Sequence, residues 1–264
     1  MGSTARPFDK YDAYARSVQA SRDEAKFLSA VYRDVSGQEP KTLREDFCGT
    51  YALCCEWVKL GPEKRAIGID IDREPLAYGA HHHRAALDAH AQLRVIAHQR
   101  DVLKGPLPRA DVICALNFSY FCLQSRQSLL RYFKSCRRSL SPGGVFVVDT
   151  FGGPQHHEPS LDTRRLPGLT YYFEQEFFDP ISNRTRFSLH YKPLGGRIRK
   201  RAFTYDWRMW SIAEVRDVML DAGFKDAFVF WEGTARDGRG SGRFTRKERG
   251  EPCQVWVAYV VGRV

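Results

Sequence analysis

The stretch LREDFCGTYALCCEW, Leu43 to Trp57, decides the fold. An apolar lead-in meets two acids, a tight Cys-Gly-Thr corner follows, and a helix-like run begins after Tyr51. That is the rhythm of a strand, a ligand-facing turn and a helix. Bulky Phe47 and Tyr51 stand where a nucleotide-binding turn commonly carries glycine.

Working outward, β-type runs alternate with helical ones. RAIGID (65–70), LRVIAHQRDV (93–102), ADVICALNF (110–118) and VFVVDTF (145–151) read as further strands. EPLAYGAHHHRAALDAHA (74–91) and QSLLRYFKSCRRSL (127–140) read as helices, the second closed by a Ser-Pro-Gly-Gly turn. Strands alternating with helices imply βαβ crossovers and a parallel sheet. The continuous apolar character of VICAL and VFVV predicts strands covered on both faces. Upstream, Ser21–Ser36 is expected to be helical, with Phe27, Leu28, Val31 and Tyr32 on one face. After Gly153 the texture changes to alternating aromatic runs, LTYYFEQEFFD, RTRFSLHYKP and RKRAFTYDW, which predict an antiparallel insertion. The helix SIAEVRDVMLDAGF follows, with Ser211 and Glu214 as a capping box and Gly223 as its stop. DAFVFW and VWVAYVVG read as a final hairpin pair, joined by a mobile glycine-rich loop, Gly233–Cys253. The expected organisation is a helical lid at 1–40, a main domain at 41–153 and 203–264, and a β-rich insertion at 154–202.

The 264 residues suffice for one large α/β domain with an insertion. No run approaches the length of an apolar membrane span, and the first residues lack an apolar signal core. A cytoplasmic location is expected. Seven cysteines without a C-x-x-C pair read as free thiols of a reducing compartment. The net charge of +10 concentrates in Asn183–Arg201 and Arg236–Arg249, a field that attracts acidic ligands or nucleic acid. His81–His83 are consecutive, so on a helix their imidazoles point about 100° apart and cannot converge on one ion. No metal site is expected.

A pyrophosphate-binding turn needs G-x-G-x-x-G opening a helix, and only Gly49 is present here. A nicotinamide dinucleotide is therefore disfavoured. A nucleoside without phosphates needs less: an acid for ribose, a polar group for adenine, and a tight turn beside its tail. Asp70 closes the second strand and Asp101, beside Val102, follows the third.

With these residues the chain resembles the class I S-adenosylmethionine-dependent methyltransferases. EDFCGT matches their first motif, GID the second and RDV the third; ADVICALNFSYF, LSPGGVFVVDTF and SIAEVRDVMLDAGF match later elements. The resemblance implies a Rossmann-like fold, with a mostly parallel seven-stranded sheet between helices and a small antiparallel insertion after the fifth strand. It implies S-adenosyl-L-methionine as cofactor, held by Glu45, Phe47, Cys48, Gly49 and Thr50, by Asp70 and Ile71, by Asp101 and Val102, and by Asn117. FDKYDAYARSVQ is similar to the lid of small-molecule methyltransferases and offers Tyr14 and Gln19. Family members commonly read D-x-G-C-G-T-G, so Phe47 and Tyr51 depart from the pattern. Phe47 is expected to pack under the turn, and Tyr51 on the helix face or pocket wall.

The expected partner is a small-molecule acceptor, methylated on nitrogen or oxygen. Candidate acceptor-side residues are Asn117, Phe118 and Tyr120, then Asp149 and Phe151, then Tyr172, Glu174, Arg208 and Trp210. His156 and His157 offer proton acceptors. Tyr120, His157 and Arg208 are the catalytic candidates, Arg208 as a guanidinium fork for an anionic acceptor. Two alternatives stand beside this reading: an RNA or protein methyltransferase using the basic runs, and a nucleoside-binding protein without catalysis. The oligomeric state is left open.

Overall fold

The computed structural model describes residues 8–235 and 240–264. Residues 1–7 of the expected lid and the tip of the expected loop, 236–239, lie outside the described residues.

Two sheets organise the described residues. The larger has eight strands in the order β11-β10-β12-β5-β4-β1-β2-β3. Its parallel half comprises β1 (Thr42–Asp46), β2 (Arg65–Asp70), β3 (Val95–Gln99), β4 (Ala110–Ala115) and β5 (Leu140–Gly152). Three antiparallel strands complete it: β10 (Asp226–Thr234), β11 (Gly240–Lys247) and β12 (Trp256–Arg263). β12 lies between β5 and β10, although it follows every other strand in the chain.

Strand alternation divides the core into two layers. Phe146 and Val148 of β5 meet α6 (Arg126–Ser139) and α7 (Ile212–Asp221) through Phe133, Val215 and Met219. Val145 and Val147 point the other way, to α2 (Ser21–Ser36) and α3 (Ala52–Val58) through Leu28, Val31 and Trp57. Both faces are covered, which is why VFVV carries no polar residue. On β1, Arg44 and Asp46 share the α6 face as a fully buried, bidentate pair, with Nε to Oδ1 at 2.9 Å and a terminal nitrogen to Oδ2 at 3.0 Å. Tyr132 of α6 donates to the same carboxylate at 2.9 Å, tying the helix to the strand that feeds the turn.

The second sheet is antiparallel, β6 (Ser160–Leu166), β7 (Leu169–Asp179), β8 (Arg184–Pro193) and β9 (Arg199–Arg208), in that order. Its inner face carries Tyr171, Phe173, Phe187, Leu189 and Trp207. Part of this face packs on Phe151 at the end of β5, and part on α1 (Lys10–Ser17), which Asp9 caps.

Four differences from the sequence reading have local causes. The main sheet has eight strands rather than seven, because Gly240–Lys247 of the expected loop pairs with the outer edge of β10. The final pair is adjacent and antiparallel as expected, with β11 emerging between its members. The insertion runs on through Arg208, because β9 pairs with β8 along its length, so the boundary expected at 202/203 falls inside a strand. The helix expected at 74–91 breaks into α4 (Arg73–Gly79), a π-turn at Ala80–Arg84 and a short α5 (Ala89–Gln92).

Candidate active site

The carboxyl end of β1 turns through Phe47, Gly49 and Tyr51, with φ of 58°, 52° and 45°. Glycine takes this left-handed region freely, whereas each other residue there costs of order 1–3 kcal/mol. Packing offsets the cost. The Phe47 ring stands edge-on to Tyr132 at 5.5 Å. Tyr51 is only 2% exposed. Its space comes from glycines elsewhere: a Cβ at Gly68 of β2 would lie 2.8 Å from the Cys48 sulfur, and one at Gly79 of α4 would lie 2.6 Å from the Tyr51 ring. The glycines missing from the turn are thus matched by glycines in the elements packed against it.

Asp70, at the end of β2, fixes this turn. Its Oδ2 accepts from the Gly49 N–H at 2.7 Å, and its Oδ1 accepts from Asp72 at 2.9 Å. Burial raises the Asp70 carboxyl above its usual range, against those N–H bonds. Beside it Ile71 is exposed. Asp101 follows β3, accepting from the Leu103 N–H at 2.9 Å, and Val102 is buried. No atom lies within 4 Å of where a Gly49 side chain would begin. An open turn, two strand-end carboxylates and an exposed apolar side chain fit a nucleoside whose tail passes the turn.

Behind the turn lie three carboxyls. Glu45 accepts from the Cys54 thiol at 3.2 Å, and burial raises its pKa to about 8. Glu24 of α2 is raised to about 8 by burial and by the charge of Asp149. Asp149 of β5 is raised to about 7 by burial, although it accepts from the Asn117 and Phe118 N–H groups at 2.8 and 2.9 Å. Those two residues also have positive φ, 54° and 58°, so Asp149 pins a strained loop at the end of β4.

A cavity of about 320 Å³ opens between the carboxyl ends of the parallel strands, α1 and the second sheet. Tyr14, Glu24, Asn117, Asp149, His156 and Trp207 are among its lining residues, with Asp162 and Arg164 contributed by the edge strand β6. Of the catalytic candidates read from sequence, none lines it. Tyr120 is fully buried in the core beside Phe121 and Phe133. His157 is exposed and stacks on Phe178, while its neighbour His156 faces the cavity. Arg208 lies over the Trp210 ring at 3.7 Å and pairs with Glu214 at 3.0 Å, so its fork holds the start of α7.

Tyr14 and Asn117 do line the cavity. Gln19 faces a separate groove with α3, where its Oε1 is buried without a partner. On β7 the inner residues are Tyr171 and Phe173, not Tyr172 and Glu174; Glu174 pairs with His190 at 2.7 Å outside the cavity. Sequence reasoning chose the wrong phase of that strand. Arg186 pairs with Asp206 and Arg201 with Glu176, so part of the basic run is neutralised locally. Glu24 and Arg164 were not singled out in the sequence. Helical spacing on α2 groups Glu24 with no other chemical signal, whereas the alternation of β6 does place Asp162 and Arg164 together.

Residues 46–148 match a family model described as a methyltransferase domain. No curated protein matches the sequence. Solved structures do. The CcbJ methyltransferase from Streptomyces caelestis is 20% identical with a TM-score of 0.68, over 92% of this chain and 94% of that one. The sugar N-methyltransferase KedS8 from a Streptoalloteichus species is 21% identical with a TM-score of 0.64, over 100% and 97%. CalS10 from Micromonospora echinaspora, an amino pentose methyltransferase solved with S-adenosylmethionine bound, is 18% identical with a TM-score of 0.67, over the whole of both chains. Residues 46–148 thus form a methyltransferase domain, and the chain as a whole shares the fold of these methyltransferases. Its methyltransferase domain makes it an enzyme. No helix among the described residues is long and apolar enough to cross a membrane.

Proposed function

We propose that this enzyme methylates an amine nitrogen on a small-molecule acceptor held in the cavity beneath the second sheet. The observation that carries the reading is the lining. Carboxyl groups of Glu24, Asp149 and Asp162 share the cavity with the rings of Phe118, Phe151, Tyr205 and Trp207. Asp162 and the aromatic faces favour a cationic or amine-bearing guest over a neutral hydroxyl compound, and such a guest would draw the protons from Glu24 and Asp149. The names of two similar structures, a sugar N-methyltransferase and an amino pentose methyltransferase, support an amino sugar as the acceptor class.

For the cofactor, the turn from Glu45 to Thr50 would face the amino-acid tail, Asp70 the ribose hydroxyls, Ile71 and Val102 the adenine faces, and Asp101 the adenine amine. The cofactor brings a methyl group already activated on a sulfonium. The protein's work is therefore to hold the acceptor nitrogen in line and at contact distance. Asp149 serves this indirectly, fixing Asn117 and Phe118 at the cavity wall. Tyr14 and Ser17 of α1 close one side of the cavity, which limits water.

The test is transfer of an isotopically labelled methyl group to a panel of amino sugars and their matched hydroxyl sugars, read by mass spectrometry. Methylated amine products are expected. Methylation of the hydroxyl sugars with none on the amines would overturn the reading. A second reading, action on RNA, rests on a surface groove along α6 lined by Arg109, Arg131, Lys134 and Arg138. It requires RNA binding that weakens steeply with salt; no gel shift with total RNA at low salt removes it.

A further inference from the structure

His156 is 7% exposed, lines the cavity, and has no hydrogen-bond partner on either ring nitrogen. Its backbone, in contrast, is pinned. The His156 N–H donates to Gly153 at 3.1 Å, and Gln175 donates to the His156 carbonyl at 2.9 Å. Phe151 stands edge-on to the ring at 4.7 Å. An imidazole placed this way, buried with both nitrogens unpaired, is destabilising unless a ligand supplies the partner. Burial lowers its basicity, with Gln175 and Asp162 opposing and His157 adding to the effect. Burial therefore favours the neutral imidazole, which has one ring nitrogen open to accept a proton.

At the rim of the same cavity, the exposed Arg164 side chain makes no hydrogen bond or ion pair with another described residue. It sits two residues from Asp162, on the same face of the edge strand β6, opposite Tyr171. Arg208 and the paired arginines of the second sheet are engaged elsewhere, so Arg164 is the cavity's own cation.

We propose that the cavity is a two-ended acceptor site: His156 removes the proton from the acceptor's ammonium, and Arg164 holds an anionic substituent of the same molecule. The inference rests on the amine reading above. An N–H bond of the ammonium breaks and its proton moves to an imidazole nitrogen, leaving the lone pair on the acceptor nitrogen. That pair forms the new N–C bond as the methyl–sulfur bond breaks, with the electrons of the broken bond staying on sulfur. The imidazolium then returns its proton to solvent as product leaves. Arg164 supplies a planar fork suited to phosphate or carboxylate.

The test uses the enzyme with S-adenosylhomocysteine, carbon-13-labelled at histidine, and three probes: glucosamine 6-phosphate, glucosamine and glucose 6-phosphate. The His156 resonance, assigned with His156→Gln, is expected to move with both amines. Glucosamine 6-phosphate is expected to bind at least tenfold more tightly than glucosamine, and Arg164→Gln to erase that difference. With S-adenosylmethionine, His156→Gln should slow methylation of the bound amine about 100-fold at pH 7, the scale of general-base assistance, and recover toward alkaline pH. If glucosamine is bound and methylated but phosphate adds nothing, or the His156 resonance stays fixed, the two-ended site falls while the amine reading stands. If neither amine binds or is methylated, both fall.

Discussion

The Tyr51 ring and the Thr50 carbonyl occupy the space that a side chain at Gly79 would need, with 2.6 Å between a Cβ there and the nearest ring carbon and the carbonyl oxygen closer still. The turn and α4 are therefore complementary, and changing either side strains the other. Gly79→Ala is expected to cost about 1–3 kcal/mol by overpacking. Tyr51→Gly restores the residue common in the family, yet it should also destabilise. Loss of a buried aromatic side chain costs roughly 3–5 kcal/mol, more than the roughly 1–3 kcal/mol of backbone strain relieved. Thermal denaturation of both variants checks this; a Tyr51→Gly protein melting above the parent would refute it.

Asp70→Asn should weaken S-adenosylmethionine binding by about tenfold to a hundredfold, the equivalent of one charge-assisted hydrogen bond of roughly 1.5–3 kcal/mol. Because Asp70 also accepts from Gly49, the variant should loosen the turn itself. Titration calorimetry reads the affinity, and hydrogen exchange at Gly49 reads the turn.

Glu24 and Glu45 keep their protons to about pH 8 in the folded chain, and Asp149 to about pH 7, against 4.5 or less as ordinary carboxyls. Across that window the folded state binds more protons than the unfolded state. Their contribution to stability is therefore fully present at low pH and is lost as pH rises through about 7 and 8. Urea midpoints of the cofactor-free protein between pH 6 and 8.5 should show this decline. Glu24→Gln and Glu45→Gln should flatten it. Bound S-adenosylmethionine, a cation, should flatten it as well.

Arg208→Ala should lower the melting temperature and leave the acceptor KM unchanged, because the guanidinium serves Glu214 and Trp210 rather than the cavity. Tyr120→Phe should change neither turnover nor stability for the worse. Its hydroxyl is buried without a clear partner, and the ring alone packs the core. A raised KM in Arg208→Ala would return that residue to the acceptor site.

The strand-turn-helix at Leu43–Trp57 and the acids at strand ends were legible because a parallel sheet projects ligand-facing residues from its carboxyl edge. The two-sided core was legible too, since VICAL and VFVV leave no polar face. The wall of the cavity was not. Which face of β7 looks inward depends on how a separate sheet docks, and Tyr171–Phe173 and Tyr172–Glu174 alternate with equal conviction in the sequence. His156 and His157 are adjacent for the same reason of phase, and only the turn after Gly153 decides between them. Gly68 and Gly79 show a different limit. Their pairing with Cys48 and Tyr51 is spatial, with no periodic trace.

The position of β12 between β5 and β10 has a consequence for how the protein is made. A ribosome delivers every other strand first, so β5 emerges with one edge unfilled and its apolar residues exposed beside it. The nascent chain carries that open seam through synthesis of the whole second sheet, α7 and the β10–β11 hairpin. During this interval the edge is a template for pairing with another polypeptide. Arrival of Trp256–Arg263 closes it by inserting into the middle of an existing sheet. Yield in a cell should therefore depend on translation speed and chaperone supply more than the finished fold's stability suggests.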